Sequence, residues 1–520
     1  MLRPFIEYTF LEAENAALKD KVIELEALVK FYEEQFRLSK HRQFGASSEK
    51  SEYDSDQLSL FNEAEVAAEA NVCEPDLVEI EKHYRKRRRL VGNSLPPDLP
   101  VEVVNHELPA DSQFCPDCGG HMHVMGRETR RELKIIPAQA KIIEHVRHVY
   151  SCRDCEKDND HTPILKAPMP EPVIRGSFAS PEAVAHIMCQ KFVMSVPLYR
   201  QEQEWSRNGI LLSRQTMSNW LIRCAEDWMK PIYGLLKKGL LEREVLHGDE
   251  TTLQVLHEPG KKAQSKSYMW LYRTSGNTDK AIVLYEYKPD RQAIHPETFL
   301  KGFKGYLHAD GYDGYHKLSD GIIVVGCWAH MRRKFDEALK TLPDKDREGS
   351  SAMRGKRYCD RLFEIERKLT DAKPDNRFHK RQEISKLVLD EFFAWAANLN
   401  ALPKSLLGQA THYANSQRLY LERYLLDGRL EISNNRAERS VKPFVIGRKN
   451  WLFANTPNGA QASSIIYSII ETAKENHLKP FEYLVFLLKS IPNATTSQLA
   501  DFLPWSDAIP DNCRTRSILQ

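Results

Sequence analysis

The chain has 520 residues, 42% hydrophobic and 28% charged, enough to bury several cores, which excludes both a single small fold and a disordered polymer. A formal net charge of +2 excludes a global field that would draw the protein to nucleic acid, so any such affinity must reside in local basic patches. No apolar run reaches the length of a membrane span, the start Met1-Leu-Arg-Pro-Phe-Ile-Glu lacks a signal-peptide core, and ten cysteines scattered over so long a chain do not suggest a disulfide framework; a cytoplasmic protein without a membrane partner is expected.

In chain order, residues 1–45 read as one long helix. Leu11, Leu18, Leu25 and Tyr32 recur every seven residues, and Asn15, Val22 and Val29 supply the second inner position of the heptad, with charge between them. An Asn at one inner position fixes register and favours two strands. Two readings stand: a self-associating coiled coil through residues 8–38, making the protein at least a homodimer, or an amphipathic helix lying on the protein's own core. Residues 46–110 are rich in Ser, Glu, Asp and then Pro, and carry the basic run Lys82-His-Tyr-Arg-Lys-Arg-Arg-Arg. They read as a flexible linker.

Residues 111–157 hold Cys115-Pro-Asp-Cys118 and Cys152-Arg-Asp-Cys155. Two such knuckles around strand-like sequence resemble a zinc ribbon, and four thiolates would close a tetrahedral site, making the ion structural rather than catalytic. Unpaired core cysteines or a redox pair are the alternatives. Residues 165–235 are helical in pattern, with helices opening at Pro181 and Leu198 and, after a turn at Asn208-Gly-Ile, a further helix starting at Ser213. Arg214, Gln215 and Asn219 near that exposed start fit a helix-turn-helix reader of double-stranded DNA, although helical pairs are equally common in ordinary cores.

From 240 to 337 the pattern changes. Runs at 244–256, 267–274 and 280–287 read as three consecutive strands, followed by a helix near Pro296, a fourth strand ending in His308-Ala-Asp310 and a fifth at 321–328. A meander followed by alternating helix and strand is the order of an RNase H-like sheet, in which the first and fourth strands lie side by side. Polar helical sequence at 338–430 reads as an insertion, 431–475 as the return to the catalytic core, and 476–520 as a helical tail. The fold class expected is multidomain α+β.

Three acids stand where a metal site could form: Asp249 and Asp310 closing apolar strands, and Glu438 in a basic helical segment. Carboxylates gathered from distant stretches of chain build a two-magnesium phosphoryl-transfer centre, with two Mg²⁺ (or Mn²⁺) ions about 3.5–4 Å apart. Each acid has a rival. Asp249 and Glu250 are adjacent and would point to opposite faces of a strand, so only one can serve. Asp313 lies past the end of its strand, and Glu431 is explained by a helix dipole if it starts the helix. Arg436, Arg439, Lys442, Arg448 and Lys449 surround Glu438, and Arg332 and Arg333 follow His330; these cations could hold DNA backbone. His330 is either a buried, hydrogen-bonded side chain or a contact to the scissile phosphate. Arg448 and Lys449 lead into Asn450-Trp-Leu-Phe, cations beside aromatics that suit a distorted or single-stranded DNA end, unless Trp451 and Phe453 are core. No GxxxxGK[ST] motif is present, so no P-loop nucleotide site is expected.

The wording around these acids is more specific than the acids. His247-Gly-Asp-Glu-Thr, Asp310-Gly-Tyr-Asp-Gly-Tyr, Cys327-Trp-Ala-His-Met-Arg-Arg-Lys-Phe, Asn434-Asn-Arg-Ala-Glu-Arg and Gly447-Arg-Lys-Asn-Trp-Leu-Phe, in this order, resemble the IS66 family of bacterial insertion-sequence transposases, and the likeness runs from the heptads to Leu503-Pro-Trp. The resemblance selects Asp249 over Glu250. It implies a DDE transposase that binds the terminal inverted repeats of its element, frees a 3′-end by hydrolysis and joins that end to target DNA. It also implies an insertion that grips DNA, small companion proteins of the same element, and a bacterial, nucleoid-associated setting. A dimeric zinc-containing DNA-binding regulator with an inactive RNase H-like domain, or a nuclease of that fold without strand transfer, are the alternatives. Retention of all three acids argues against the first, and the set of end-recognition modules against the second.

Overall fold

The computed structural model describes residues 140–151, 164–276 and 278–515, together with eight positions between 18 and 33. The linker at 46–110, the basic run at 82–89 and the four knuckle cysteines lie outside these residues, as does most of the heptad region. The eight N-terminal positions are helical, and the inner heptad side chains among them, Leu18, Val22, Leu25, Val29 and Tyr32, are all exposed. The chain divides into two compact units, residues 44–167 and residues 1–43 with 168–520. In the first, strands β1 (Val149–Ser151) and β2 (Ile164–Lys166) pair antiparallel. Of the strand-like run from Ile142 only the last two residues join this ladder, because β2 offers just three partners.

The second unit opens with helices α1 (Pro181–Met188), α2 (Leu198–Arg207), α3 (Arg214–Cys224) and α4 (Lys230–Leu241). Their starts follow from capping chemistry. Ser180 accepts from the Ala183 N–H with Pro181 in the first turn, and Ser213 accepts from the Thr216 N–H. Between α2 and α3 the chain turns at Gly209, whose φ of +76° costs glycine little.

A five-stranded sheet follows, built from β3 (Val245–Gln254), β4 (Lys266–Thr274), β5 (Val283–Lys288), β6 (Gly305–His308) and β7 (Ile322–Val325), in the order β5-β4-β3-β6-β7. The first three form an antiparallel meander, and β6 and β7 run parallel to β3. The expected neighbourhood of the first and fourth strands is therefore present. Helices α5 (Ile294–Phe299) and α6 (Asp313–His316) flank β6 in sequence, and α7 (Trp328–Lys340) follows β7.

The insertion holds α8 (Ser351–Lys368), α9 (Pro374–Lys380), α10 (Lys386–Ala397) and α11 (Leu406–Glu422), and all but α9 pack with α7 around a separate core of Trp328, Phe335, Phe392, Phe393 and Tyr424. Then α12 (Asn435–Trp451) crosses β3, α13 (Pro457–Glu475) covers β5, and α14 (Pro480–Ser490) closes the unit. Because β5 is a sheet edge, its outward backbone groups need partners. The Val283 and Tyr285 N–H groups donate to the hydroxyls of Thr472 (3.0 Å) and Ser468 (2.8 Å) on α13. Among the described residues no helix is long and apolar enough to cross a membrane.

Candidate active site

The parallel register of β3 and β6 sets His247 beside His308. Their imidazoles stack at 4.4 Å with 15° between planes, and both are fully buried. Burial pushes His247 down to about 3 and His308 well below the usual histidine range, so both are neutral. Two residues further along each chain, on the same side of the pleat, stand Asp249 and Asp310. The register that stacks the histidines thus brings the two acids together just beyond them. Asp249 Oδ1 accepts from the Glu250 N–H at 2.8 Å, and Asp310 Oδ1 from the Tyr312 N–H at 3.0 Å.

Asn434, 1% exposed, brings in the third acid. Its amide NH₂ donates to the Gly248 carbonyl (2.8 Å), its carbonyl oxygen pairs with His247 Nδ1 (2.9 Å), and its backbone N–H donates to Cys327 Sγ (3.2 Å). These bonds pin the start of α12 to β3. Glu438 is in the first helical turn, where the positive end of the helix dipole favours its charge. That explanation was expected to belong to Glu431, but Glu431 precedes the helix and is held instead by Arg436 at 2.7 Å.

The other acids act on Asp249. Burial raises the Asp249 carboxyl well above the usual carboxylate range, and the nearby charges of Glu250, Asp310 and Glu438 raise it further. Among the described residues no cation forms an ion pair with Asp249. Glu438 is better served: Arg333 lies 3.4 Å from Oε2 and His330 Nδ1 3.7 Å from Oε1. Burial opposes a charge on His330, yet Cys327, Glu438 and Asp310 together carry it up to about 9. Glu250 points the other way, as its place on the strand requires. It is 2% exposed and accepts from Arg291 Nε (2.7 Å) and the Tyr315 hydroxyl (2.8 Å). Arg291 also approaches Asp310 to 3.9 Å and lies 4.0 Å over the Tyr312 ring. An open cleft of about 420 Å³ adjoins Asp310, lined in part by Arg291, Tyr312, His330, Lys334 and Tyr413. Gly311 has no side chain because a Cβ there would come within 2.8 Å of the Tyr413 ring.

The basic residues singled out in the sequence divide. Arg332 donates to Asp360 at 2.5 Å, Arg436 is engaged with Glu431, and Arg448 reaches the hydroxyls of Thr251 (3.2 Å) and Thr252 (3.0 Å) on β3. Arg439, Lys442 and Lys449 are exposed on α12. Arg214, Gln215 and Asn219 are exposed on α3, where Gln215 donates to Asn219 (3.2 Å) and the Arg214 N–H to Glu202 (3.0 Å). Asp313 is 84% exposed, outside the acid cluster. Trp451 packs on Phe444, whereas Phe453 is 42% exposed beside Leu452, a non-glycine residue held at φ +66°. Sequence reasoning missed the histidine pair, the clamp by Asn434 and the closeness of Cys327 to His330. The repeated His-x-Asp, once within β3 and once at the end of β6, was the available signal for the first; Asp249, expected to close its strand, is followed by five more residues of β3.

Comparison with known proteins supplies relatives for this arrangement. A model of the transposase IS66 family matches residues 176–462, the zinc-finger binding domain of transposase IS66 matches 112–156, a domain described as Transposase C of IS166 homeodomain matches 32–104, and the IS66 C-terminal element matches 468–505. The uncharacterised protein y4hP of Sinorhizobium fredii is 30% identical over 443 residues, 81% of this chain and 77% of the relative. Another from the same organism, y4jD, is 30% identical over 79% of this chain and 81% of its own length. Among solved structures, the Drosophila P element transposase strand transfer complex aligns over 57% of this chain and 94% of its own, at 13% identity and a TM-score of 0.34, too low to speak for the fold.

Proposed function

Since this chain belongs to the IS66 transposase family, whose model spans more than half of it, we propose that it is a DDE-type transposase with an RNase H-like catalytic core and with Asp249, Asp310 and Glu438 as its catalytic acids. The observation that carries this reading is the load on one carboxylate: burial, Glu250, Asp310 and Glu438 all raise Asp249, the last two from 61 and 189 positions away in sequence, and among the described residues no cation pairs with it. An oxygen-only, under-compensated set of this kind suits Mg²⁺ or Mn²⁺, with room left for waters and phosphate oxygens. When bound, two such ions would supply an activated oxygen nucleophile and stabilise the leaving oxygen of an in-line displacement at phosphorus.

The chain's own residues would do the rest. Asn434 holds the Glu438 helix against β3, and Arg333 orients the Glu438 carboxylate through Oε2. His330, cationic at neutral pH, faces the cleft beside Asp310, where it can balance charge on a scissile phosphate. Arg291 and Lys334, each over a tyrosine ring, would hold backbone phosphates, and Phe453 rather than Trp451 offers the stacking surface for a distorted DNA end. Exposed Arg439, Lys442 and Lys449 extend the phosphate track along α12. Arg214, Gln215 and Asn219 would read the terminal repeats from α3. Arg332 and Arg436, tied to Asp360 and Glu431, support the scaffold first.

The zinc-finger match supports a structural Zn²⁺ on Cys115, Cys118, Cys152 and Cys155. Exposed heptad positions support self-association through residues 8–38, and the companion proteins and cytoplasmic, nucleoid-associated setting follow from the family. A retired domain serving a DNA-binding regulator would have no reason to keep three acids converging. The test is Glu438→Gln: end binding stays measurable while cleavage and joining with Mg²⁺ or Mn²⁺ are lost. Full joining by that variant removes Glu438 from the mechanism.

A further inference from the structure

Glu438 borders a second set of donors with different chemistry. Cys327, His330 and Glu438 present a sulfur, an imidazole nitrogen and a carboxylate oxygen that all lie within 4.8 Å of one another. Each is held from a different direction. Cys327 caps the start of α7, His330 stands in that helix's first turn, and Glu438 enters from the first turn of α12.

Two facts mark this corner as more than ordinary packing. His330 Nδ1 and Glu438 Oε1 are both buried atoms without a hydrogen-bond partner, 3.7 Å apart. At 3.7 Å the two attract as an ion pair but are too far apart for a hydrogen bond, and a metal ion that displaces the His330 proton would satisfy the nitrogen and the oxygen together. The Cys327 sulfur already accepts the Asn434 N–H at 3.2 Å, which fixes its position beside His330. A sulfur, nitrogen and oxygen set is softer than the oxygen-only trio and matches zinc better than magnesium. Three protein ligands would leave a fourth position for water or a phosphate oxygen.

We propose that Cys327, His330 and Glu438 form a zinc-binding site, distinct from the ribbon, whose occupancy captures Glu438 and blocks the magnesium-dependent reaction. Oε2 of Glu438 is engaged by Arg333, so Oε1 is the oxygen that either centre must use. It cannot face both at once. The zinc site stands on its own geometry; only the blocking effect rests on the catalytic reading given above.

The experiment uses the full chain equilibrated in zinc-buffered solution and then assayed for bound metal. Wild type is expected to hold two zinc ions per chain, and Cys327→Ser one, with the ribbon ion as internal reference. His330→Gln guards against a folding failure in the first variant and is expected to lose the same equivalent. In a Cys115→Ser background, cobalt should still give one set of thiolate-to-metal absorption bands, abolished by adding Cys327→Ser. In end-cleavage assays with Mg²⁺, the zinc concentration for half-inhibition should rise at least tenfold in Cys327→Ser. Equal zinc content in wild type and both variants overturns the site, and unchanged zinc inhibition in Cys327→Ser overturns the blocking role. Loss of the second zinc equivalent in a protein that never cleaves DNA upholds the site and contradicts the catalytic reading.

Discussion

Two groups of buried charge within the same compact unit are treated in opposite ways. In the insertion, Arg381 is wholly buried and fully answered: Glu366 takes it in two bonds of 2.8 and 2.6 Å, and the carbonyls of Tyr424, Asp427 and Leu430 accept the remaining donors at 2.8–2.9 Å. In the middle of β3, Asp249 is raised by its own burial and by the charges of Glu250, Asp310 and Glu438, and among the described residues no cation pairs with it. A fold meant only to stand pairs its buried ions. The second group makes physical sense when an external positive charge completes it, and that difference separates scaffold from site.

The comparison can be broken in several ways. The largest expected effect is on chemistry: Asp249→Asn should lower Mg²⁺-dependent end joining by about a thousandfold or more, equivalent to roughly 4 kcal/mol of barrier. A gel assay with labelled element ends reads it, and near-normal joining would place Asp249 among the scaffold charges. Next is stability, where the two groups should differ in sign. Glu366→Ala leaves Arg381 buried and unpaired and should cost about 3–5 kcal/mol in urea unfolding. Asp249→Asn should instead stabilise the metal-free protein, by roughly 1–2 kcal/mol, because it removes a buried repulsion.

The pH dependence follows from the direction of the shift. Since the folded-state pKa of Asp249 lies above its unfolded value of about 4, the ionised carboxylate costs stability above the folded pKa, and the cost vanishes once pH falls below the unfolded value. The advantage of Asn should therefore be absent near pH 3 and grow as pH rises between the unfolded and folded values. A constant advantage across that range would mean the effect is not electrostatic. The smallest effect is expected at Glu431→Gln, whose carboxylate is already satisfied by Arg436: joining should change less than about fivefold. A loss as deep as that of Asp249→Asn would move Glu431 into the site.

The parts of this arrangement that were legible in the sequence are those with local causes. Strand runs and their turns announced the meander and the pairing of β3 with β6, and the family wording singled out Asp310 and Glu438, whose charges act on Asp249. Strand alternation also foretold that Glu250 would turn from Asp249. What escaped was set by partners far away in the chain. Asn434 read as one residue on a polar helix face, yet it clamps His247 and Gly248, 187 and 186 positions distant. Arg332, Arg436 and Arg448 read as free cations for DNA because Asp360, Glu431 and the Thr251-Thr252 hydroxyls cannot be assigned to them without the fold. Trp451 and Phe453 looked equivalent; the turn at Leu452 sends one inward and leaves the other exposed.

The most direct test of the account is the binding of Mn²⁺, followed by electron paramagnetic resonance, to full-length protein carrying only its ribbon zinc, one ion per chain, and to Asp249→Asn in the same state. The account predicts that the wild type takes up two manganese ions in a spin-coupled site and that the variant loses the coupled signal while its ribbon zinc is unchanged. Identical manganese uptake and spectra in the two proteins would contradict it.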